Sequence, residues 1–279
     1  MQHEEPMNVE RQVAAYYTRG MLEEKILGIL RDAGKDMQRL SPEDFSAIDE
    51  FHLGGHEATQ ALAEFMQLRP DMRLLDVGCG IGGPARYFAG RGCQVTGIDL
   101  TEEFVRVAEN ITHMVNLGQW AKFRQASALE LPFASGTFDG AYTIHVGMNI
   151  ADKAGVFREV KRVLKPGARF SVYDLMRAND GMLAFPVPWA LSPETSFVVS
   201  VDDYRQQLQA AGFRIDHQRD RRQFALDFMQ RMMAQNASGP PALGVHVLMG
   251  EQAPLMLKNV YTAIASGVLS PVELVAIAD

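Results

Sequence analysis

Hydrophobic and polar residues follow two different periods along the chain, and the period changes near residue 72. Before that point apolar residues recur at every third or fourth position, as they do on one face of a helix. This spacing predicts a helix over residues 9–33, ended by Gly34, and another over residues 56–68. Between them, the Ser-Pro-Glu-Asp run at residues 41–44 is typical of a helix start.

After residue 72, short apolar runs alternate with amphipathic stretches. The runs predict strands over residues 73–77, 94–98, 122–125, 138–144 and 168–175. The amphipathic stretches predict helices over residues 83–90, 102–117 and 152–164, the last ended by a turn at Lys165-Pro166-Gly167. Two parallel neighbouring strands need a crossover connection between them, and a helix is the most compact crossover. The alternation therefore predicts an α/β fold with a parallel, doubly wound sheet.

The rest of the chain is less regular. A helix over residues 202–211 and strands over residues 213–217 and 272–278 would complete a mostly parallel, seven-stranded, Rossmann-like sheet. Residues 222–268 are rich in methionine, broadly helical and broken at Ser238-Gly239-Pro240-Pro241. Because this segment is too long for an ordinary loop, it is predicted to be an insertion over the strand ends. The predicted domains are a helical cap at 1–68, a donor-binding core at 69–221, a lid at 222–268 and a closing strand at 269–279.

Composition narrows the class of protein. The formal net charge of −7 argues against a surface that tracks nucleic-acid phosphates. Cys79 and Cys93 are too few for a disulfide framework, which favours a reducing, cytoplasmic location. The sequence has no run of 18 apolar residues, and no basic region followed by an apolar stretch at its start. Neither membrane insertion nor signal-directed export is predicted.

A glycine loop follows the first predicted strand. Gly78, Gly80 and Gly83 match G-x-G-x-x-G between a strand and a helix, the context in which this pattern indicates a nucleotide-like ligand. Asp99 ends the second strand, where a carboxylate can accept from both ribose hydroxyls of an adenosine. Dinucleotide oxidoreductases share both features. Asp76 favours S-adenosylmethionine, because a carboxylate repels a pyrophosphate but attracts the ammonium of the methyl donor.

Five motifs in order extend this inference. They are LDVGCGIGG at 75–83, TGID at 96–99, LPF at 131–133, TFD at 137–139 and RVLKPG at 162–167. In order and spacing they resemble the motifs of class I S-adenosylmethionine-dependent methyltransferases, over residues 70–175. Within that family the chain is similar to the small-molecule branch of sarcosine and dimethylglycine, tocopherol and sterol methyltransferases. Tyr16-Tyr17 and His52-Leu53-Gly54-Gly55 support this placement.

The resemblance implies where S-adenosyl-L-methionine binds. Contacts are expected from three loops and their flanks, at Asp76, Gly78, Gly80, Gly82, Asp99, Leu100, Ala128 and Leu129. Asp76 and Gly78 would lie near the methionyl part, and Asp99 at the ribose. The family often has an Asp where this chain has Ser127, so the serine hydroxyl takes over a contact to the adenine amino group only if it reaches.

Methyl transfer is an in-line displacement, so the protein mainly aligns the reactants and removes a proton from a weak nucleophile. His145 follows the fourth strand, at the sheet edge where ligands of open α/β folds bind. It is either a general base or a histidine that packs and positions the donor. Asp174, predicted at the end of the fifth strand, either binds an amine or orients His145; a solvated carboxylate is the alternative. Asn149 either caps the following helix or hydrogen-bonds the substrate.

Aromatic residues supply further candidates. One of Tyr16 and Tyr17 is expected to contact the donor or the substrate, because aromatic faces suit a sulfonium or a cation; filling the helix face is the alternative. Trp189 is expected to wall the acceptor pocket. His52 and His56 are four residues apart, but without a clear third and fourth ligand no metal site is predicted.

The methionines and phenylalanines of the insertion have three interpretations. They line an adaptable substrate pocket, form the contact of a homodimer, or fill a helical core. The residues are Phe224, Phe228, Met229, Met232, Met233, Met249 and Met256.

The sequence thus predicts S-adenosylmethionine-dependent methylation of a small organic molecule at an N, O or C atom that stays undecided. Two alternatives stay open. The glycines and Asp99 would also suit a nicotinamide-dependent oxidoreductase. Ser127 and the lack of an unambiguous base would suit a module that binds the donor without catalysis.

Overall fold

The chain folds into ten helices and seven strands over the residues that the computed structural model describes, which are 6–236, 239 and 241–279. The helices are α1 Pro6–Tyr17, α2 Leu22–Asp32, α3 Gly55–Phe65, α4 Gly83–Ala89, α5 Glu102–Met114, α6 Lys153–Val163, α7 Val201–Ala210, α8 Arg222–Gln235, α9 His246–Met249 and α10 Ala253–Ala265. The strands are β1 Arg73–Val77, β2 Gln94–Asp99, β3 Ala121–Gln125, β4 Phe138–Ile144, β5 Leu164–Arg177, β6 Phe213–Asp220 and β7 Leu269–Ala278.

The strands form one sheet in the order β3-β2-β1-β4-β5-β7-β6. The first five in this order are parallel, and β7 runs antiparallel to both β5 and β6. The predicted α/β fold with a doubly wound, mostly parallel, seven-stranded sheet is confirmed. Parallel strands place their carboxyl ends at one edge, so the loops after β1, β2, β3 and β4 meet there.

Both faces of the sheet are buried. One face packs against α6 and α7 through Phe157 and Leu208, and the other against α3 and α4 through Leu62 and Phe88. With its faces covered, the sheet leaves its carboxyl edge as the place for a ligand. None of the described helices is long and apolar enough to cross a membrane.

The N-terminal helix predicted as one element is two. The chain breaks between α1 and α2, where Gly20 and Met21 take the left-handed conformation with φ of 65° and 55°. The carboxylate of Glu103 in α5 accepts hydrogen bonds from the backbone N–H groups of Arg19, Gly20 and Leu22 at 2.7, 2.9 and 3.1 Å. A distant side chain thus takes up donors that a continuous helix would satisfy internally.

Strand β5 is longer than predicted. α6 ends at Val163 and β5 begins at Leu164, so Lys165-Pro166-Gly167 lies inside the strand and is not the predicted turn between the two elements. Register with β4 shifts there, since Leu164 pairs with Phe138 and Arg169 with Gly140. This bulge accommodates the proline, which has no N–H to donate to a ladder.

Three helices lie between β6 and β7, where the sequence predicts the insertion. α8 ends at Gln235 and α9 begins at His246, so the helical run is interrupted around the predicted break. Ser238 and Pro240 of that break lie outside the described residues, as do residues 1–5.

Candidate functional site

A cavity of about 1210 Å³ lies at the carboxyl edge of the sheet. Its inner wall comes from the loops that follow β1, β2, β3 and β4. Its outer wall comes from α1 and from the three helices of the insertion. A volume above the usual 300–1,000 Å³ of a small-ligand pocket leaves space for two ligands side by side.

The glycine loop approaches the cavity through its backbone. Gly78, with a φ of 79°, lines the cavity, and a side chain there would collide with Val146. Gly80, with a φ of 53°, also lines it. Gly82 does not line the cavity: it precedes α4, and a Cβ there would lie 2.8 Å from the ring of Phe123. Gly82 therefore allows close helix–sheet packing, and its donor contact stays a prediction.

Asp76 is a buried carboxyl at the base of this loop. It lines the cavity, and the hydroxyl of Tyr142 donates to its Oδ2 at 3.0 Å. Burial raises the pKa of Asp76 to about 8. In the absence of a ligand the group is thus mostly protonated at neutral pH, and a cation beside it would favour the carboxylate.

Asp99 and Leu100 line the cavity at the end of β2. The N–H of Gly80 donates to Oδ2 of Asp99, and the N–H of Thr101 donates to Oδ1, both at 2.9 Å. These bonds fix the carboxylate, and each oxygen keeps a lone pair for a ligand hydroxyl. Burial raises the pKa of Asp99 above its usual value.

Ser127 does not line the cavity. Its hydroxyl donates to the carboxylate of Glu10 in α1 and accepts the N–H of Leu129 at 3.0 Å. Glu10, Ala128 and Leu129 line the cavity instead. Ser127 links α1 to the loop after β3, and its ligand contact stays a prediction. Sequence reasoning missed Glu10, because 117 positions separate it from Ser127.

The two tyrosines of α1 face different surroundings. Tyr17 lines the cavity, and its hydroxyl donates to Oδ1 of Asn149 at 3.2 Å. Tyr16 does not line it and donates to the carbonyl of Pro188 at 3.1 Å, which anchors α1; its substrate contact stays a prediction. Asn149 lines the cavity and does not cap α6, whose N-cap is Asp152.

His145 lines the cavity directly after β4, in a left-handed conformation with a φ of 54°. The backbone N–H of His145 donates to the carbonyl of Tyr173 at 2.7 Å, and this hydrogen bond holds the backbone in the left-handed conformation. The ring atom Nε2 is buried without a hydrogen-bond partner. Burial, and secondarily the charge of His52, hold the pKa of His145 well below its usual value, so the imidazole is neutral at physiological pH.

Asp174 does not face this cavity, which corrects its predicted catalytic role. It is fully buried on the opposite face of the sheet. Its Oδ2 accepts the hydroxyl of Tyr204 at 2.6 Å and the N–H of Gly147 at 2.8 Å. Burial raises its pKa to about 6. The ring of the preceding Tyr173 lies beside His52 and His145, so side-chain alternation along β5 turns Asp174 to the other face, against Tyr204 of α7.

The outer wall is mainly apolar. Trp189 lines the cavity, and its Nε1–H donates to the Ser196 hydroxyl at 2.9 Å. Phe224 and Met256 lie outside the lining. The other five insertion residues singled out from the sequence line it: Phe228, Met229, Met232, Met233 and Met249.

A group of hydrogen-bonded side chains near α3 was not predicted from the sequence. The buried carboxylate of Glu50 lies 3.5 Å from Nε2 of His52 and 3.2 Å from Nδ1 of His56. The hydroxyl of Thr59 donates to Glu50 at 2.7 Å. The spacing of the two histidines was the only sequence signal for it. Within the described part of the chain, no three His, Cys, Asp or Glu side chains are grouped so as to hold a metal ion.

Comparison with known sequences gives a family match within the core. Residues 75–172 match the methyltransferase domain family. Sterol 24-C-methyltransferase ERG6B of Gibberella zeae is 32% identical over 166 residues, which are 57% of this chain and 44% of that protein. The chain spans less than two thirds of the length of the curated relatives it matches.

Comparison with solved structures extends over most of the chain. Geranyl diphosphate C-methyltransferase from Streptomyces coelicolor A3(2) has a TM-score of 0.70 and 17% identity, with 97% of this chain and 98% of that chain covered. This similarity concerns the fold alone. The [4+2]-cyclase SpnF has a TM-score of 0.64 and 26% identity, with 79% and 80% covered.

Proposed function

We propose that this chain, whose residues 75–172 form a domain of the methyltransferase family, methylates a large and mainly apolar small molecule with S-adenosyl-L-methionine. The observation that carries the proposal is the pair of carboxyls at the ends of β1 and β2, Asp76 and Asp99, which face one cavity beside the glycine loop. Both carboxyls belong to the five motifs that resemble those of class I methyltransferases. The family match over residues 75–172 spans all five motifs.

The donor fits the residues around Asp76. Among the described residues no basic side chain forms an ion pair with this buried carboxyl, so the ammonium of a ligand would be its counter-ion. Asp99 would accept the ribose hydroxyls, with Leu100, Ala128 and Leu129 beside the adenine. Tyr17 would cover the donor from α1. When bound, S-adenosylmethionine supplies an electrophilic methyl group on a sulfonium.

The acceptor is expected to lie between the glycine loop and the insertion. Five phenylalanine and methionine side chains of the insertion line that wall, together with Trp189. Methionine adapts to irregular apolar shapes, and a cavity of about 1210 Å³ leaves room for a bulky acceptor beside a nucleoside. The named activity of one similar protein, a sterol methyltransferase, agrees with this class.

His145 is the residue proposed to take the acceptor's proton. It is neutral, buried and on the cavity wall, so it can accept a proton without first losing one. We expect His145→Ala to slow turnover by about 100-fold or more while changing donor affinity far less. Equal losses in both, measured by turnover and by calorimetry, would assign His145 to donor positioning.

Calorimetry with S-adenosylhomocysteine tests donor binding, with Asp76→Asn as the matched variant. Wild type should bind, and the variant should bind at least about tenfold more weakly because it lacks the charge for the ammonium. A folded wild-type protein that does not bind would overturn the proposal. A screen of sterols, prenyl diphosphates and polyketides for release of S-adenosylhomocysteine then tests the acceptor class.

Donor binding without turnover on any acceptor would favour the non-catalytic alternative, and the [4+2]-cyclase similarity makes that control worthwhile. A nicotinamide-dependent activity receives no support from the family match. The buried thiols Cys79 and Cys93 accord with the cytoplasmic location that we propose. A homodimer and the absence of nucleic-acid binding stay predictions.

A further inference from the structure

Four polar side chains form a hydrogen-bonded path along the cavity wall, and all but that of Thr59 line the cavity. They belong to Glu50, His52, Thr59 and His56, on α3 and the segment before it. Glu50 and His52 have side chains only 4% and 3% exposed, whereas that of His56 is 49% exposed. Buried ionisable groups cost stability unless they are paired, so this path calls for a functional reason.

The hydrogen bonds fix the protonation of His52. Its Nε2 lies 3.1 Å from the carbonyl oxygen of Gly55, which can only accept, so Nε2 carries the hydrogen. Nδ1 of His52 therefore has a free lone pair. The same Nε2 lies 3.2 Å from the hydroxyl oxygen of Thr59, which in turn donates to Glu50. His52 can thus take a proton at one nitrogen and release another from the second.

His145 connects this path to the acceptor side of the cavity. Its ring centroid lies 6.0 Å from that of His52 and 5.0 Å from that of Tyr173. Nε2 of His145 is buried and has no hydrogen-bond partner among the described residues. No hydrogen bond joins the two histidine rings among the described residues, so transfer between them needs a bridging water or a small ring rotation.

We propose that Glu50, His52 and His56 conduct the acceptor's proton from His145 to solvent. This inference rests on the proposed function. For a hydroxyl acceptor, the O–H electron pair forms the new O–C bond, and the pair of the broken C–S bond stays on sulfur. The proton passes to His145, then to Nδ1 of His52, while Nε2 of His52 releases its own proton toward Glu50. Glu50 passes a proton to His56, which exchanges it with water.

The proposed proton path is needed when both the donor and the acceptor are bound. Ligands that fill the inner part of the cavity would exclude water from His145, whereas His56, in the same wall, has a half-exposed side chain that keeps contact with solvent. The charged surroundings favour outward movement. Burial lowers the pKa of His52, whereas the hydrogen bond that His56 donates to the Glu50 carboxylate raises the pKa of His56 above its usual value.

The groups facing each member of the path come from several elements. His52 faces Glu50, His56, His145 and Tyr173, the last from β5. Glu50 lies near the carboxyls of Asp49 and Asp76. His56 faces Asp49, Arg91 and the ring of Tyr87.

Proton exchange at His52 tests the path without knowledge of the acceptor. Nuclear magnetic resonance of protein labelled with ¹⁵N-histidine reports the tautomer of His52 and the rate at which its Nε2–H exchanges with water. We expect the Nε2–H tautomer, and we expect Glu50→Gln to slow the exchange by about tenfold or more, because an amide cannot relay a proton. Glu57→Gln, an exposed carboxylate of α3 paired with Arg231, is the matched control and should leave the rate unchanged.

The direction of the change separates a relay from a structural role. Loss of packing in Glu50→Gln would open the region and speed exchange, whereas loss of a relay slows it. Unchanged or faster exchange, or an Nδ1–H tautomer of His52, would overturn the inference. Recording the spectra with and without S-adenosylhomocysteine separates the two proposals. Failure to bind this ligand contradicts the proposed function, whatever the exchange rate of His52.

Discussion

At the scale of single residues, the direction of a side chain decides which buried carboxyl belongs to the site. Asp76 and Asp174 both lie in central strands, and burial raises the pKa of both. Asp76 faces the cavity, while Asp174 ties Tyr204 to the backbone of Gly147 on the other face of the sheet. The sequence pattern identified both residues, but the face of Asp174 follows only from the contacts of its neighbour Tyr173 with His52 and His145, which join distant parts of the chain.

The raised pKa of Asp76 predicts proton release on donor binding. The ligand-free carboxyl is mostly protonated at pH 7, and a bound ammonium favours its ionised form, so S-adenosylhomocysteine should displace close to one proton at about pH 7. Release should fall toward zero above about pH 9, where Asp76 is already ionised. Calorimetry in buffers of different ionisation enthalpy measures it. Asp76→Asn should show no such release, and an absence of buffer dependence in wild type at pH 7 would refute the prediction.

The backbone at Gly78 predicts a specific loss of stability. Alanine there adds the strain of a left-handed conformation to a collision with Val146, so the free energy of unfolding should fall by about 2–4 kcal/mol. Gly136→Ala is the control, because Gly136 has a φ of 65° but open space around a Cβ. It should lose only about 1–2 kcal/mol. Equal losses in urea denaturation would show that the collision is relieved.

At the scale of elements, periodicity predicts what is local and misses what depends on distant partners. The core strands and helices are present where apolar spacing places them. The break before α2 was missed because Glu103, far along the chain, stabilises it. Lys165-Pro166-Gly167 was predicted to form a turn between α6 and β5, but Pro166 lies in a bulge inside β5. The link from Glu10 to Ser127 likewise has no local signature.

The break between α1 and α2 predicts a dependence of α1 on one carboxylate. Burial alone would raise the pKa of Glu103, but backbone hydrogen bonds bring it below its usual value, so the group is ionised at neutral pH. Glu103→Gln should lower stability by about 1 kcal/mol and speed amide exchange at residues 19–22. Glu102→Gln, exposed on the preceding residue, should do neither. If both variants behave alike, Glu103 does not hold the break.

At the scale of the whole molecule, the cavity joins two kinds of wall. The inner wall is the sheet edge with its fixed loops, and the outer wall is α1 with the insertion. Tyr17 and Asn149 join the two walls by a hydrogen bond, as do Glu10 and Ser127. The division into cap, core and lid stays a prediction, although these contacts give it a physical meaning.

This arrangement predicts where ligand binding slows amide exchange. S-adenosylhomocysteine should protect the glycine loop and also α1, since Tyr17 and Glu10 line the cavity. Protection is expected to be at least about threefold at saturating ligand, because α1 opens only when its contacts with the occupied site break. Strand β6, which does not line the cavity, is the internal control. Protection confined to the glycine loop would show that α1 does not cover the donor.

The antiparallel strand β7 allows the insertion before it to vary without disturbing the sheet. It pairs with β5 from Leu269 to Ile277 and with β6 from Val272 to Ala278, so both ends of the helical insertion are held by the sheet. Helices of another length or composition can therefore replace this insertion while the glycine loop keeps its geometry. Under the proposed function, in which the insertion binds the acceptor, grafting a different insertion between β6 and β7 should change acceptor preference while donor binding is kept.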